Sequence, residues 1–221
     1  MAFAGWTRDA VAFFRGLEAD NTRAYWTANR PVYDACVLAP MSELLAELAP
    51  EFGAGRIARP HRDVRFRADK SPYKTAIYAT LEAGGYVRFS AEGLTTGLGY
   101  YAMDTGQLER YRSAVADDAL GQTLAEIVAR LTATGIQVAG VQRLKGAPRG
   151  YPSDHPRVEL LRNRGLIAWR DWPVTAWLGS GEARSRIVDV LRTGGPLQRW
   201  LEEQVGTAEP DRLRGTEGPA T

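Results

Sequence analysis

The sequence predicts an α+β fold, with N-terminal helices packed on an antiparallel sheet of at least three strands and further helices C-terminal. Three observations predict it. Apolar residues recur at helical spacing from Val11 to Leu48. The period then changes, and short runs with alternating polarity follow one another across tight glycine turns up to Met103. Helical spacing returns at Gln107, with two further short strand-like runs beyond it.

Each element has its own signal. Thr7 is placed to cap a first helix, with Asp9 in its first turn and Val11, Phe13, Phe14 and Leu17 on its apolar face. Asp20-Asn21-Thr22 breaks that helix and starts a second, carrying Tyr25, Trp26 and Tyr33. Pro31 is placed to open a further helical turn. Met41, Leu44, Leu45 and Leu48 continue the period until Pro50, Gly53 and Gly55. Ile57 to Phe66 reads as extended, with Val64 and Phe66 on one face and Asp63, Arg65 and Arg67 on the other. Lys70-Ser71-Pro72-Tyr73 reads as a loop, because proline disfavours helix at the residue before it. Thr75 to Leu81 and Tyr86 to Ser90 form a hairpin around Gly84-Gly85, and Leu94 to Met103 adds a third strand. Gly97 and Gly99 in that strand imply close approach of a neighbouring chain segment.

Downstream, Gln107 to Val115 and Asp118 to Thr132 read as helices. Ile136 to Val141 and Leu166 to Arg170 read as strands, with a polar loop from Lys145 to Pro156 and a short helix from Arg157 to Arg162 between them. Glu182 to Arg192 and Pro196 to Val205 read as one helix interrupted at Gly194-Gly195-Pro196. With no repeat and no dividing linker, residues 1–205 are expected to form a single domain. Residues 206–221, rich in Gly, Pro, Thr and charge, are expected to form a flexible tail.

Composition bounds the function. Of 221 residues 44% are hydrophobic and 24% charged, which suits a globular protein and excludes disordered and collagenous classes. A single cysteine, Cys36, rules out an intrachain disulfide; in its apolar helical setting it reads as a small buried hydrophobe. No apolar run approaches the roughly 18 residues of a membrane span, and the N-terminus lacks a secretory pattern, so no membrane partner and a cytoplasmic location are expected. One cysteine and two distant histidines offer no zinc set, so no metal site is expected, and the sequence names no cofactor.

The net charge of +2 hides a local excess. Between Arg59 and Lys74 stand six basic residues (Arg59, Arg62, Arg65, Arg67, Lys70 and Lys74) against Asp63 and Asp69, so this segment alone carries +4. Arginine offers a planar fork for carboxylate or phosphate and lysine a point charge. Three readings of the segment stay open. Arg59, Arg62, Arg65, Lys70, Tyr73 and Lys74 could line a pocket for a small anionic, phosphate-bearing ligand, with Asp63 orienting the arginines or moving a proton. The same stripe could bind nucleic acid, although a near-neutral net charge counts against that. Or the arginines could pair with acids elsewhere, making a scaffold or interaction module without catalysis. Whether the protein is an enzyme is left open by all three.

The spacing R-x-x-R-D-x-R-F-x-x-x-K-x-P-Y-K, which stands here as RPHRDVRFRADKSPYK, resembles the hallmark of a microbial family known as domain of unknown function 2461. Upstream, Asn21-Thr22-Arg23-Ala24-Tyr25-Trp26 with Asn29 and Tyr33 is similar to that family's N-x-R-x-W-F…N-K…Y segment. Downstream, Pro148-Arg149-Gly150-Tyr151 and Asp154-His155-Pro156, followed by Leu160 and Leu161, resemble its P-K-G-[YF]…D-H-P…L-L segment. Ala24 stands where the family usually has Glu, Arg30 where it has Lys, and Tyr25-Trp26 where it has Trp-Phe. The resemblance implies the fold and the region of the site, and no established activity. His155 is the second acid/base candidate beside Asp63; the competing reading is that it caps the short helix after it. Ser71 reads as a turn residue, and Trp6, Tyr25, Trp26 and Tyr33 as core.

Overall fold

The computed structural model describes residues 2–63 and 69–206. It is α+β, with a six-stranded sheet in the order β1-β2-β3-β4-β6-β5. The chain divides into two compact units, Met1–Thr96 with Asp171–Leu191, and Gly97–Arg170 with Arg192–Thr221.

In the first unit, α1 (Arg8–Ala19) buries Val11, Phe13, Phe14 and Leu17, as its period requires. Thr7 occupies the cap position, but its side chain makes no capping bond. The Thr22 hydroxyl does cap α2 (Arg23–Val32), accepting the Tyr25 amide at 3.2 Å. Pro31 does not open a new helix; it lies inside α2, near its end. A π-helical segment, Tyr33–Leu38, leads directly into α3 (Ala39–Phe52). The segment lies between Pro31 and Pro40, each of which removes an amide from the i→i−4 ladder. Met41, Leu44, Leu45 and Leu48 are buried on α3, which carries Pro50 in its last turn and stops at Gly53. Cys36, expected to be buried, is half-exposed in the π segment.

The hairpin of β2 (Ala76–Leu81) and β3 (Gly85–Ser90) is antiparallel, pairing Tyr78 with Arg88. Gly84 sits in its turn at φ +85°, a conformation that favours glycine. Outside β2 runs β1, only Gly55–Ile57, pairing Arg56 with Thr80. The alternation of β2 and β3 turns Ile77, Ala79, Leu81, Val87 and Phe89 inward. Phe89 meets Phe14 of α1 at 6.1 Å and stacks on Trp6 at 4.6 Å.

β4 (Gly93–Tyr100) and β6 (Leu166–Pro173) are adjacent. β4 ends three residues before the expected Met103, and β6 runs three beyond the expected Arg170.

In the second unit, a Cβ on Gly97 would lie 2.3 Å from the Ala168 carbonyl oxygen, and one on Gly99 2.4 Å from that of Leu166. The close approach expected of these glycines is therefore present. Asp104 and Gln107 form a reciprocal capping box at the start of α4 (Thr105–Ala116). Asp117 caps α5 (Asp118–Ala133). β5 (Gln137–Gly140) pairs antiparallel with β6. α7 (Glu182–Gln204) is continuous, where the sequence had suggested a break at Gly194-Gly195-Pro196. Gly194 earns its place by packing: a Cβ there would fall 2.2 Å from Leu98. Tyr111, Leu124, Leu161, Leu166 and Trp200 form this unit's core. Of the expected 206–221 tail, all but Gly206 lies outside the described residues. Among the described residues no helix is long and apolar enough to cross a membrane.

Candidate functional site

The basic motif stands on an irregular two-stranded ribbon. Beyond β1 the chain stays extended, and the Ala58 amide donates to the Tyr78 carbonyl at 2.8 Å. Further out His61 faces Tyr73 across an antiparallel bridge. It is flanked by bonds from the Lys74 amide to Pro60 O (2.8 Å) and from the Arg62 amide to Pro72 O (2.9 Å). Pro60 and Pro72 have no amide to donate, so no continuous ladder forms. Of the long strand expected over Ile57 to Phe66, the structure gives β1 and this bridge; Val64, Arg65, Phe66 and Arg67 lie outside the described residues.

At a bridge of this kind the backbone groups of the paired residues point away from each other and need partners elsewhere. Asn21 supplies them for Tyr73. Its side-chain nitrogen donates to the Tyr73 carbonyl and its oxygen accepts the Tyr73 amide, both at 3.0 Å. A carboxamide is chemically a peptide group, so Asn21 stands in for one residue of a missing third strand. The Tyr73 ring, on a residue only 5% exposed, stacks on Trp26 of α2 at 4.4 Å and 7°. Trp26 in turn meets Tyr33 at 4.8 Å, and His61 lies 5.0 Å from the Tyr73 ring. The family-like upstream segment therefore anchors the end of the basic segment, a role the sequence reading did not give to Asn21 or Trp26.

Strand alternation puts His61 and Tyr73 on the helix-facing side of the ribbon and Arg62 and Lys74 on the other. The expected ligand group is thus divided: Tyr73 is core, while Arg62 and Lys74 share the opposite side. Arg59, Asp63 and Lys70 are exposed. Arg62 Nη1 bonds Asp69 Oδ2 at 2.5 Å, with the arginine side chain 19% exposed and the aspartate 60%. Asp69 Oδ1 accepts the Ser71 amide at 2.9 Å, so Ser71 is indeed a turn residue. Hydrogen bonds from Ser71, and then the Arg62 guanidinium, hold the Asp69 carboxyl below the usual carboxylate range. Asp69 falls at an unspecified position of the motif, and only its acidity hinted at this role.

His155 belongs to the second unit. Its Nδ1 accepts the Arg157 amide at 3.0 Å and its carbonyl accepts that of Val158 at 2.9 Å, at the start of α6 (Val158–Leu161). Arg157, not His155, is the N-cap residue of α6, and no side chain caps that helix; the His155 ring braces the turn before it instead. The Arg157 guanidinium donates to the carbonyls of Val115, Ala116 and Asp117, where α4 passes into α5. Among the described residues no group of three or more His, Cys, Asp or Glu could hold a metal ion.

Comparison with known proteins adds a family and little chemistry. No curated protein matches the chain. A solved structure of a conserved hypothetical protein from Pyrococcus furiosus is similar at a TM-score of 0.34 and 12% identity, over 74% of this chain and 92% of that one. The family model described as "Conserved hypothetical protein (DUF2461)" matches residues 9–200. That span takes in the Asn21 clamp, the basic ribbon and the His155 turn together, and the chain belongs to the DUF2461 family of conserved hypothetical proteins.

Proposed function

We propose that the protein is a cytoplasmic anion-binding protein whose ligand is small and phosphate-bearing, held by Arg62, Arg65, Lys70 and Lys74 with Arg59 at the margin. Asp63 orients the arginines. The observation that carries this reading is the Arg62–Asp69 pair. One acidic partner of Arg62 comes from the basic segment itself and is largely exposed, which supports a site over a buried strut joining sheet to helices. Six basic residues against two acids give the segment a formal charge of +4, which favours an anionic ligand. The clamp on Tyr73 supports preorganisation, because a fixed ribbon base lowers the ordering cost of binding. Binding, not catalysis, is the extent of the reading; His155 is left out because its Nδ1 is engaged at α6.

The test is a thermal-shift screen against phosphate, nucleotides, sugar phosphates, di- and tricarboxylates and short oligonucleotides. A ligand at about 100 times its Kd adds about 2.7 kcal/mol, a rise of about 5–10 °C at this chain length. The expected hit is a phosphorylated small molecule, lost in Arg65→Ala and Lys70→Ala. A blank panel overturns the reading. A hit on oligonucleotides alone, falling steeply with salt, would replace it with nucleic-acid binding.

A further inference from the structure

A cavity of about 250 Å³ opens between α1 and α2, lined by Asp9, Ala12, Phe13, Tyr25, Asn29 and Val32. It contains none of the basic motif. The Tyr25 hydroxyl donates to the Phe13 carbonyl at 2.9 Å, and the Asn29 side-chain nitrogen donates to the Tyr25 carbonyl at 2.9 Å. The Tyr25 hydroxyl proton and one of the two Asn29 N–H groups are therefore used inside the helix pair. What remains for a ligand is mostly acceptors, Asn29 Oδ1, the Tyr25 oxygen and the Asp9 carboxylate, beside the second Asn29 N–H. Among the described residues Asp9 has no ion-pair partner. Arg30, beside Asn29 in sequence, is held by Asp34 at 2.7 Å. Phe13 and Tyr25, 6.0 Å apart and tilted at 44°, contribute electron-rich rings. The seat is built on Gly16, where a Cβ would lie 2.1 Å from the Tyr25 hydroxyl oxygen.

We infer that this cavity binds a small organic cation, a primary alkylammonium or guanidinium group. Asp9 pairs with the charge, Asn29 Oδ1 accepts an N–H, and Ala12, Phe13 and Val32 cover the alkyl stem. Its size, below the roughly 300–1,000 Å³ of drug-sized pockets, fits a group of that scale. The same chemistry is offered by a free amine and by the lysine or arginine side chain of another protein.

The experiment is calorimetric titration of the full chain with n-butylammonium, guanidinium, N-acetyl-lysine amide, and n-butanol as the uncharged control. Saturable binding of the cations and not of butanol is expected, weakened about two- to fivefold in Asp9→Asn, the scale of an exposed charge pair. Ala12→Trp fills the cavity from its exposed rim and should abolish binding in a folded protein. A stronger response to N-acetyl-lysine amide than to butylammonium assigns the site to a protein side chain, and the reverse to a free amine. The inference is overturned if butanol binds as well as butylammonium, if Asp9→Asn leaves the cation affinity unchanged, or if no cation binds saturably.

Discussion

Replacing Asn21 by alanine removes both partners of the Tyr73 backbone in one step. The two bonds are 3.0 Å each and join residues 52 apart in sequence, so nothing local replaces them. An intramolecular hydrogen bond contributes about 1 kcal/mol net, and a buried group left without one costs about 1–3 kcal/mol. Tyr73 is nearly buried, but Asn21 is half-exposed and water can enter the gap. The expected loss is therefore about 2–3 kcal/mol for the pair, or about 4–12 °C in Tm. Asn21→Asp should be no milder, because a carboxylate accepts from the Tyr73 amide but faces the Tyr73 carbonyl without a proton to donate. The assays are urea denaturation for the free energy and hydrogen exchange for the location. The Tyr73 amide should lose protection first, followed by those of Arg62 and Lys74 along the ribbon. A change under about 0.5 kcal/mol with unchanged exchange at Tyr73 would refute the argument that Asn21 serves as a surrogate strand.

Two further predictions rest on other parts of the molecule. Gly97→Ala and Gly99→Ala should each cost about 2–4 kcal/mol, since the new methyl meets a neighbouring carbonyl and Gly99 also sits at φ +112°. Gly146→Ala, with nothing within 4 Å, should stay within about 0.5 kcal/mol in the same urea assay. Asp69 should titrate below the ordinary value of 3.8 by carbon NMR of its carboxyl, and Ser71→Ala should return it towards that value. With a folded pKa below the unfolded one, the stabilisation is present above about pH 4 and is lost as pH falls through the folded value; a raised pKa would contradict the described Ser71 and Arg62 bonds.

The helices were legible because burial repeats along them: Val11, Phe14 and Leu17, or Leu124, Ile127 and Leu131, mark one face without any knowledge of the partner. The hairpin was legible from Gly84, whose positive φ is a local demand. The ribbon was not, because its pairing is interrupted by Pro60 and Pro72 and its closure depends on a side chain 52 residues away. Continuity of α7 through Gly194-Gly195-Pro196 was hidden for a similar reason: Gly194 reads as a breaker until Leu98 is found filling the place of its side chain. Within the site, the positive segment was visible as charge. The burial of Tyr73 against Trp26 and the division of Arg62 and Lys74 from it follow from pairing that charge does not encode.

The π segment fixes the helical phase of the N-terminal run. A π turn takes one residue more than the α turn it replaces and keeps the flanking helices in phase with each other. Counted with one residue fewer across Tyr33–Leu38, Trp26, Tyr33, Met41, Leu44 and Leu48 fall on one stripe about 100° wide. Loss of one residue from the π segment would therefore leave Trp26, Tyr33, Met41, Leu44 and Leu48 on a common face. Removing the exposed Ala35 would let plain α-helix close the same span, whereas adding a residue would turn everything from Met41 onward by about 100°. Length in this stretch is constrained in one direction only, which no comparison of side-chain types would reveal.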